Sequence, residues 1–247
     1  MKIPFTKMHG AGNDFILVDD RALIFPLDDT SFVGSIASRH TGIGCDGVLL
    51  IQPSEGADFR MRFINPDGGE VDMCGNGARC IARRAFELGV ASSEMTIETG
   101  AGIVAAEVLQ DQVRLVLTDP ADLRLGLETG LEWPVDFVNT GVEHAVVWVD
   151  DLQCLDLPML GKQVRGHALF APGGTNADFA KVEADGTLSI RTYERGVEAE
   201  TLACGTGVVA SALLSFYKKM VKPPVAVETQ GGDILKVDFG VTNNDGV

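Results

Sequence analysis

The strongest constraint in this sequence is that it repeats. EVDMCGNGARCIARRAF, residues 70–86, aligns without a gap on ETLACGTGVVASALLSF, residues 200–216, at an offset of 130, the separation of Cys74 from Cys204. Glu70, Cys74, Gly75, Gly77, Ala82 and Phe86 fall on Glu200, Cys204, Gly205, Gly207, Ala212 and Phe216. The same offset lays TIETGAG, 96–102, over AVETQGG, 226–232, and matches Glu98, Thr99 and Gly102 to Glu228, Thr229 and Gly232. Two segments that share one offset mark an internal duplication. A looser match places GIGCDGVLLI near GGTNADFAKV and FRMRFINPDGG near SIRTYERGVEA, with a one-residue slip needed to keep strand alternation in phase. The chain is therefore expected to form two lobes of about 120 residues, a usual domain size. The expected lobes are 1–118 and 119–247, with the boundary near TDPADL at 118–123 and a pseudo-twofold axis between them.

Each copy reads strand, turn, Cys-Gly-x-Gly, helix, strand. After CGNG, the apolar positions Ala78, Ile81, Ala82, Ala85 and Phe86 recur at three- and four-residue spacing, which is helical. After CGTG, VVASALLSF is apolar nearly all round and predicts a helix enclosed on most sides. FRMRF, QVRLVL, HAVVWV, TLSIRTY and ILKVDF are short alternating runs and predict strands. Many strands with one principal helix per copy imply an α+β fold: two pseudo-symmetric lobes, each a curved mixed or antiparallel sheet wrapped around a central helix. The period is too long for a solenoid, and strand-helix alternations are too few for a parallel barrel.

Composition narrows the function. With 45% apolar and 22% charged residues the chain can build a core, which excludes disorder. It contains no run of eighteen apolar residues, and the opening MKIPFTKMHGAGNDF lacks the apolar stretch of a secretion signal, so a cytoplasmic protein with no membrane partner is expected. Thirty-five acidic against twenty basic residues give a formal net charge of −15, which repels phosphate backbones and argues against nucleic acid. The five cysteines are scattered, with no C-x-x-C pair, and the four histidines form no H-E-x-x-H, so reduced thiols and no metal are expected.

The duplicated Cys-Gly-x-Gly carries the chemistry. A helix start leaves N–H groups unpaired and bears about half a positive charge, a setting for a carboxylate or a thiolate. The glycines bring those N–H groups close to a bound anion, and a thiol beside them is more easily ionised. If Cys74 and Cys204 face one another across a cleft between the lobes, a thiolate on one side of a carbon acid removes a proton. A thiol on the other side then returns one. That inverts an α-amino acid stereocentre without any cofactor. A lone cysteine before a Gly-rich turn is ordinarily a small buried hydrophobe, but packing gives no reason for two copies to keep the motif in register. Cys45, Cys80 and Cys154 lack this context and read as structural, as do His9, His40 and His167. Two other classes use similar features. Opposed thiols can form a redox switch, which here reads as a side reaction. A phosphate-binding module uses Gly-rich helix heads, but no P-loop Lys follows either one.

MHGAGNDF (8–15), GIGCDG (42–47), FINPDGGEVDMCGNGARC (63–80), GGTNADF (173–179) and RTYERGVEAETLACGTG (191–207) closely resemble the diaminopimelate epimerase family over nearly the whole chain. The resemblance implies a cofactor-independent homodimer of two α+β lobes that converts the small molecule LL-2,6-diaminopimelate to the meso form for lysine and peptidoglycan synthesis. By matching motif, Cys74 resembles the proton donor and Cys204 the proton acceptor for the LL substrate, with roles exchanged in reverse. Gly75, Asn76, Gly205 and Thr206 would hold the reacting α-carboxylate. Asn13, Asn65, Asn176 and Arg195 resemble the polar groups around the substrate, with Glu194 near the distal ammonium. An adjacent Glu and Arg suit a second zwitterionic end, since an Arg fork fits a carboxylate. His144 and Glu194 stand where the family tunes its thiols. The bland readings are a surface ion pair for Glu194 and Arg195, turn residues for the three asparagines and a satisfied strand-edge histidine for His144.

The sequence departs from the family in several places. Gly47 stands where a Gln is common, and Gly141-Val142-Glu143-His144 replaces G-N-P-H, removing an Asn contact to the distal carboxylate. The stretch from Arg195 to Cys204 is one residue longer than in some relatives. The sequence ends at NNDGV, before the family's closing segment, which implies a fragment or a compact form with altered assembly. A racemase of another amino acid on the same fold, such as histidine, is the alternative function. Proline-type relatives are disfavoured, because they carry Cys-Gly-His where this chain has Cys74-Gly75-Asn76.

Overall fold

The computed structural model describes residues 2–241. NNDGV, 243–247, on which the expectation about the closing segment rests, lies outside the described residues. The chain divides into two compact units between Leu117 and Thr118.

The first unit contains β1 (Thr6–Gly10), β2 (Asn13–Asp19), α1 (Thr30–Ala37), β3 (Gly47–Gln52), β4 (Phe59–Ile64), β5 (Glu70–Val71), α2 (Gly75–Glu87), β6 (Glu94–Thr99), β7 (Gly102–Val108) and β8 (Val113–Val116). Its sheet runs β1-β2-β3-β4-β6-β7-β8, with β5 added to β4. The β2/β3 and β4/β6 pairs are parallel and the others antiparallel. The second unit contains β9 (Ala121–Leu127), β10 (Val135–Asn139), β11 (Glu143–Trp148), α3 (Leu157–Arg165), a 3-10 turn (Ala168–Phe170), β12 (Asn176–Val182), β13 (Leu188–Glu194), β14 (Ala199–Thr201), α4 (Gly205–Tyr217), β15 (Val225–Glu228) and β16 (Ile234–Val237). Its sheet runs β9-β10-β11-β12-β13-β15-β16, with β14 added to β13, and again the pairs β11/β12 and β13/β15 are parallel.

The two topologies match strand for strand, from β1 with β10 to β7 with β16. Among the described residues they differ only in where a strand is appended, β8 at one end of the first sheet and β9 at the opposite end of the second. The ladders also locate the slip. Val48 pairs with Ile64 and Ala177 with Tyr193, an offset of 129 between the copies. From Glu70 and Glu200 onward the offset is 130, because six residues lie between the paired Tyr193 and Glu200 where five lie between the paired Ile64 and Glu70. Laid end to end, GIGCDG and GGTNADF would set Gly47 on Asp178. The ladders instead set Gly47 on Asn176. That error of two residues preserves strand alternation, so alternation alone does not reveal it.

Side-chain alternation divides each sheet into two apolar faces. In the first unit Phe15, Leu17, Leu49, Ile51, Met61 and Phe63 pack with Ala78, Ile81, Ala82 and Ala85 of α2. Ile16, Val18, Val48, Leu50 and Ile64 turn the other way and meet Val33 and Ala37 of α1. Both faces of β3 are thus covered, which is why GVLLIQ is buried at every position. The second unit repeats the plan, with α4 on one face and α3 on the other. Eight of the thirteen residues of α4 are buried, as its all-round apolar sequence implied. The expectation of one principal helix per copy holds for α2 and α4, but α1 and α3 were not foreseen. Each starts on an aspartate cap, Asp29 accepting from Phe32 N and Asp156 from Met159 N, with a proline in the first turn of α3. Among the described residues no helix is long and apolar enough to cross a membrane.

Candidate active site

Each cysteine of the repeat is the N-cap of its unit's main helix. Cys74 has extended backbone (φ −142°, ψ 117°), and its sulfur accepts from Gly77 N at 3.5 Å. Gly75 is open above: a Cβ built there would meet nothing closer than an Arg79 nitrogen at 4.0 Å. Asn76 turns inward and is 3% exposed. Its Nδ2 donates to Asn13 Oδ1 at 2.6 Å, and Arg79 donates to its Oδ1 at 2.5 Å. Asn13 in turn donates to Asp46 at 3.1 Å. The structure therefore brings Asn13, Gly75 and Asn76 together with Cys74. Asn65 opens the tight turn between β4 and β5, its N–H donating to Gly69 O at 2.8 Å, with its residue half-buried.

The second helix head stands on different ground. Cys204 Sγ lies 3.4 Å from Thr206 Oγ1, and Thr206 Oγ1 lies 2.9 Å from His144 Nε2. His144 Nδ1 is 2.7 Å from Asp178 Oδ2, and Thr192 Oγ1 donates to Asp178 Oδ1 at 2.7 Å. The side chains of His144 and Asp178 are 0% exposed. Far from a strand-edge residue, His144 lies in β11, between β10 and β12, with both ring nitrogens engaged. Thr140 Oγ1 adds a bond to Thr206 O at 3.0 Å.

Charge around Cys204 opposes ionisation. Burial, and then the carboxylates of Glu194 and Asp178, push its thiol well above the ordinary value, while Thr206 pulls the other way. Burial also raises Glu194, against the Thr201 hydroxyl that donates to it. Asn176 stitches the neighbouring loop: its Oδ1 accepts from Arg195 N at 2.9 Å and its Nδ2 donates to Glu143 O at 3.2 Å. The Arg195 guanidinium donates to Gly174 O at 3.1 Å and pairs with Glu143 Oε2 at 2.9 Å. Glu194 and Arg195 are thus not paired with each other. Glu143, noted in the sequence only as part of a departure, is the carboxylate that occupies the arginine.

The difference between the heads is set by three positions. At the 129 offset, His144, Asp178 and Thr192 correspond to Phe15, Leu49 and Phe63. Phe15 and Phe63 meet edge to face at 5.9 Å. A Cβ on Gly77 would lie 3.2 Å from Leu49, and one on Gly207 would lie 2.3 Å from Asp178 Oδ1. The first turn of each helix therefore rests on the same place in its sheet, on carbon in one unit and on a carboxylate in the other. Gly47 belongs to this arrangement, since its Cβ would lie 2.1 Å from the Phe63 ring. Asp178, Thr192 and Thr140 were missed from sequence. The available signal was Asp178 itself, a charged residue two positions from Ala180 and so on the core side of β12.

The remaining cysteines differ among themselves. Cys45 and Cys80 are buried, and burial pushes the Cys80 thiol up to about 12. Cys154, expected to be structural, is exposed, its thiol donating to Asp151 at 3.1 Å. Among the described residues no group of three or more His, Cys, Asp or Glu side chains is placed to hold a metal ion.

Comparison with known proteins places the chain in a family. The diaminopimelate epimerase family model matches residues 5–123 and 137–244. This chain belongs to the diaminopimelate epimerase family. The diaminopimelate epimerase of Aquifex aeolicus is 41% identical over 249 residues, spanning 95% of this chain and 89% of that one. That of Chlorobaculum tepidum is 44% identical over 236 residues, spanning 94% and 91%. A solved hydroxyproline epimerase from Agrobacterium vitis, crystallised with trans-4-hydroxy-L-proline, superposes with a TM-score of 0.69 at 20% identity, covering 98% of this chain and 84% of that one. It shares the fold. The diaminopimelate epimerase relatives thus agree with the resemblance carried by MCGNG and YERG…ACGTG.

Proposed function

We propose that this protein is an amino-acid epimerase that inverts one α-carbon of LL-2,6-diaminopimelate to give the meso isomer, in lysine and peptidoglycan precursor synthesis. The observation that carries the reading is the duplicated helix head, with a thiol at the N-cap and Gly-x-Gly in the first turn of both α2 and α4. Membership of the family supplies the substrate.

In this reading Cys204 takes the α-proton of the LL substrate as a thiolate, and Cys74 delivers a proton to the opposite face. The N–H groups of Gly75, Asn76, Gly205 and Thr206 receive the α-carboxylate, on which negative charge builds as the carbon loses its proton. Such donors act by preorganisation, and removing one typically costs about 10²–10³-fold in rate. Asn13 fixes Asn76, and Asn176 fixes the Arg195 backbone, so both asparagines position the polar rim. Asn65 and Arg195 would reach the distal carboxylate and Glu194 the distal ammonium. His144 acts on the thiol chemistry from beneath.

The test is proton exchange in deuterated solvent with reduced protein and no added cofactor. Deuterium should enter Cα of LL-diaminopimelate as the meso isomer appears, and full retention of hydrogen there would overturn the assignment. A second reading has one observation in its favour. The Arg195 guanidinium already holds Glu143, and Gly47 and Val142 replace residues common in the family, which fits a racemase of another amino acid such as histidine. Parallel inversion assays on diaminopimelate, histidine and proline separate the two. The reading also carries a cytoplasmic homodimer with no nucleic-acid partner, and sedimentation of the full chain checks the dimer.

A further inference from the structure

A buried polar cluster costs stability unless every member is satisfied, and the one beneath α4 is complete. Its protons can be assigned by elimination. The Asp178 carboxylate only accepts, so His144 Nδ1–H must face it, as Thr192 Oγ1–H does. That leaves His144 Nε2 as an acceptor, and the group 2.9 Å away is the Thr206 hydroxyl. The Thr206 oxygen then has lone pairs turned toward Cys204 Sγ at 3.4 Å. With Thr206 donating to the ring, its oxygen is open to the Cys204 S–H, and the row runs from sulfur through hydroxyl to imidazole beside the Glu194 carboxylate, which also accepts from the thiol. The equivalent row under α2 is Phe15, Leu49 and Phe63, so this is a property of one helix head and not of the fold.

We propose that Asp178 is a positioning residue for Cys204: it locks the His144 ring so that Nε2 takes up the thiol proton by way of the Thr206 hydroxyl. As the Cys204 S–H bond breaks, a new Thr206 O–H bond forms. The original Thr206 proton passes to His144 Nε2. The products are a thiolate and an imidazolium, the second held against the Asp178 carboxylate, and no proton enters or leaves. This is the logic of a nucleophile, a base and a third group that orients the base, with one hydroxyl inserted. Thr206 then has two separable parts, its N–H toward an anion and its side chain toward the ring.

The charged and titratable groups facing the cluster are Glu194 from β13, Asp178 from β12, His144 from β11 and Cys204 from α4. Among them Asp178 makes two opposite predictions. As a bare negative charge it hinders formation of the thiolate, so its removal would quicken reaction of Cys204. As the residue that orients His144, its removal slows it.

The experiment measures alkylation of Cys204 by iodoacetamide across pH in the Cys74→Ala full-length protein, following the Cys204 peptide by mass spectrometry. Asp178→Asn keeps the shape and should slow alkylation at neutral pH by about tenfold, with the pH midpoint moved up. An unchanged or faster reaction overturns the proposal. Thr206→Val, which leaves the buried pair intact, should slow alkylation similarly while Thr206→Ser restores it. If Thr206→Val reacts like the parent, the relay is likewise overturned. The proposal rests on the epimerase reading for its purpose. Alkylation nevertheless reports on the sulfur whether or not diaminopimelate is inverted, so the two ideas fail separately.

Discussion

Beneath Gly77 the first unit places Leu49 beside two phenylalanines that meet each other edge to face, while beneath Gly207 the second unit places Asp178 between a histidine and a threonine. The strands, the crossovers and the helix above are the same in both units. What the duplication kept is a backbone and a cysteine, and what it released is the floor. Either floor is stable for its own reason, close packing of apolar side chains in one unit and complete hydrogen bonding in the other. The two thiols of one enzyme can therefore be chemically unlike although their helix heads share one motif.

The largest effect tests what the heads have in common. Cys74→Ala and Cys204→Ala should each lower the rate of diaminopimelate inversion by about 10³-fold or more, the range of a positioned acid or base, measured by isomer-resolved chromatography. Near-normal turnover in either variant breaks the equivalence of the two heads. The next effect tests the floors. Leu49→Asp puts an uncompensated charge in an apolar core and should cost about 3–5 kcal/mol in urea unfolding. Asp178→Leu leaves the His144 and Thr192 donors unpaired and should cost less, about 1–3 kcal/mol. Equal costs would mean that the second floor is held mainly by its charge.

Gly47→Ala sharpens the first floor further. Its methyl would intrude on the Phe63 ring and should destabilise by about 1–3 kcal/mol. Pairing it with Phe63→Val should recover part of that loss in a double-mutant thermal melt, and strict additivity would show that the ring is not the obstacle.

The smallest effects are in pH. Glu194 sits above the ordinary carboxyl value through burial, so folding gains from it below its unfolded value and loses that gain as pH rises through the folded value. Glu194→Gln should therefore be more stable than the parent at neutral pH, with the difference closing below about pH 4.3. Asp14 in the first unit behaves oppositely. Burial works against it, but hydrogen bonds from Arg39 and Lys7 hold it far below the usual carboxylate range. Its contribution is present above the unfolded value, about 3.9, and disappears as pH falls. Asp14→Asn should be less stable than the parent at neutral pH and equal to it in strong acid, by the same unfolding measurement.

The fold was largely legible because the duplication writes each element twice. The α2 and α4 helices and the strands around them follow from one offset and two periodicities. The short helices α1 and α3 carry their signal in single caps at Asp29 and Asp156, which look like ordinary turn residues until a helix is seen behind them. The cysteines and glycines of the candidate site stand out in the repeated motif, whereas Asn76 enters only through the family resemblance. Asp178 and Thr192 were not legible, because they come from strands whose register is shifted by one against that motif. Their hydrogen bonds run between strands distant in sequence. Glu143 was visible only as an oddity, since nothing local says that Arg195 will reach back to it across more than fifty residues of chain.

Gly47 and Phe63 also bear on how such a protein can change. The aromatic ring requires the missing side chain, and the helix above requires whatever the ring and Leu49 leave exposed, so the first floor alters only in concert. In the second, a carboxylate without its imidazole or its hydroxyl is stranded in the interior. Each half is thus separated from the composition of its sibling by intermediates less stable than either. Converting one floor into the other by single substitutions passes through a stranded carboxylate or a crowded ring, so each helix head is tied to the floor it has.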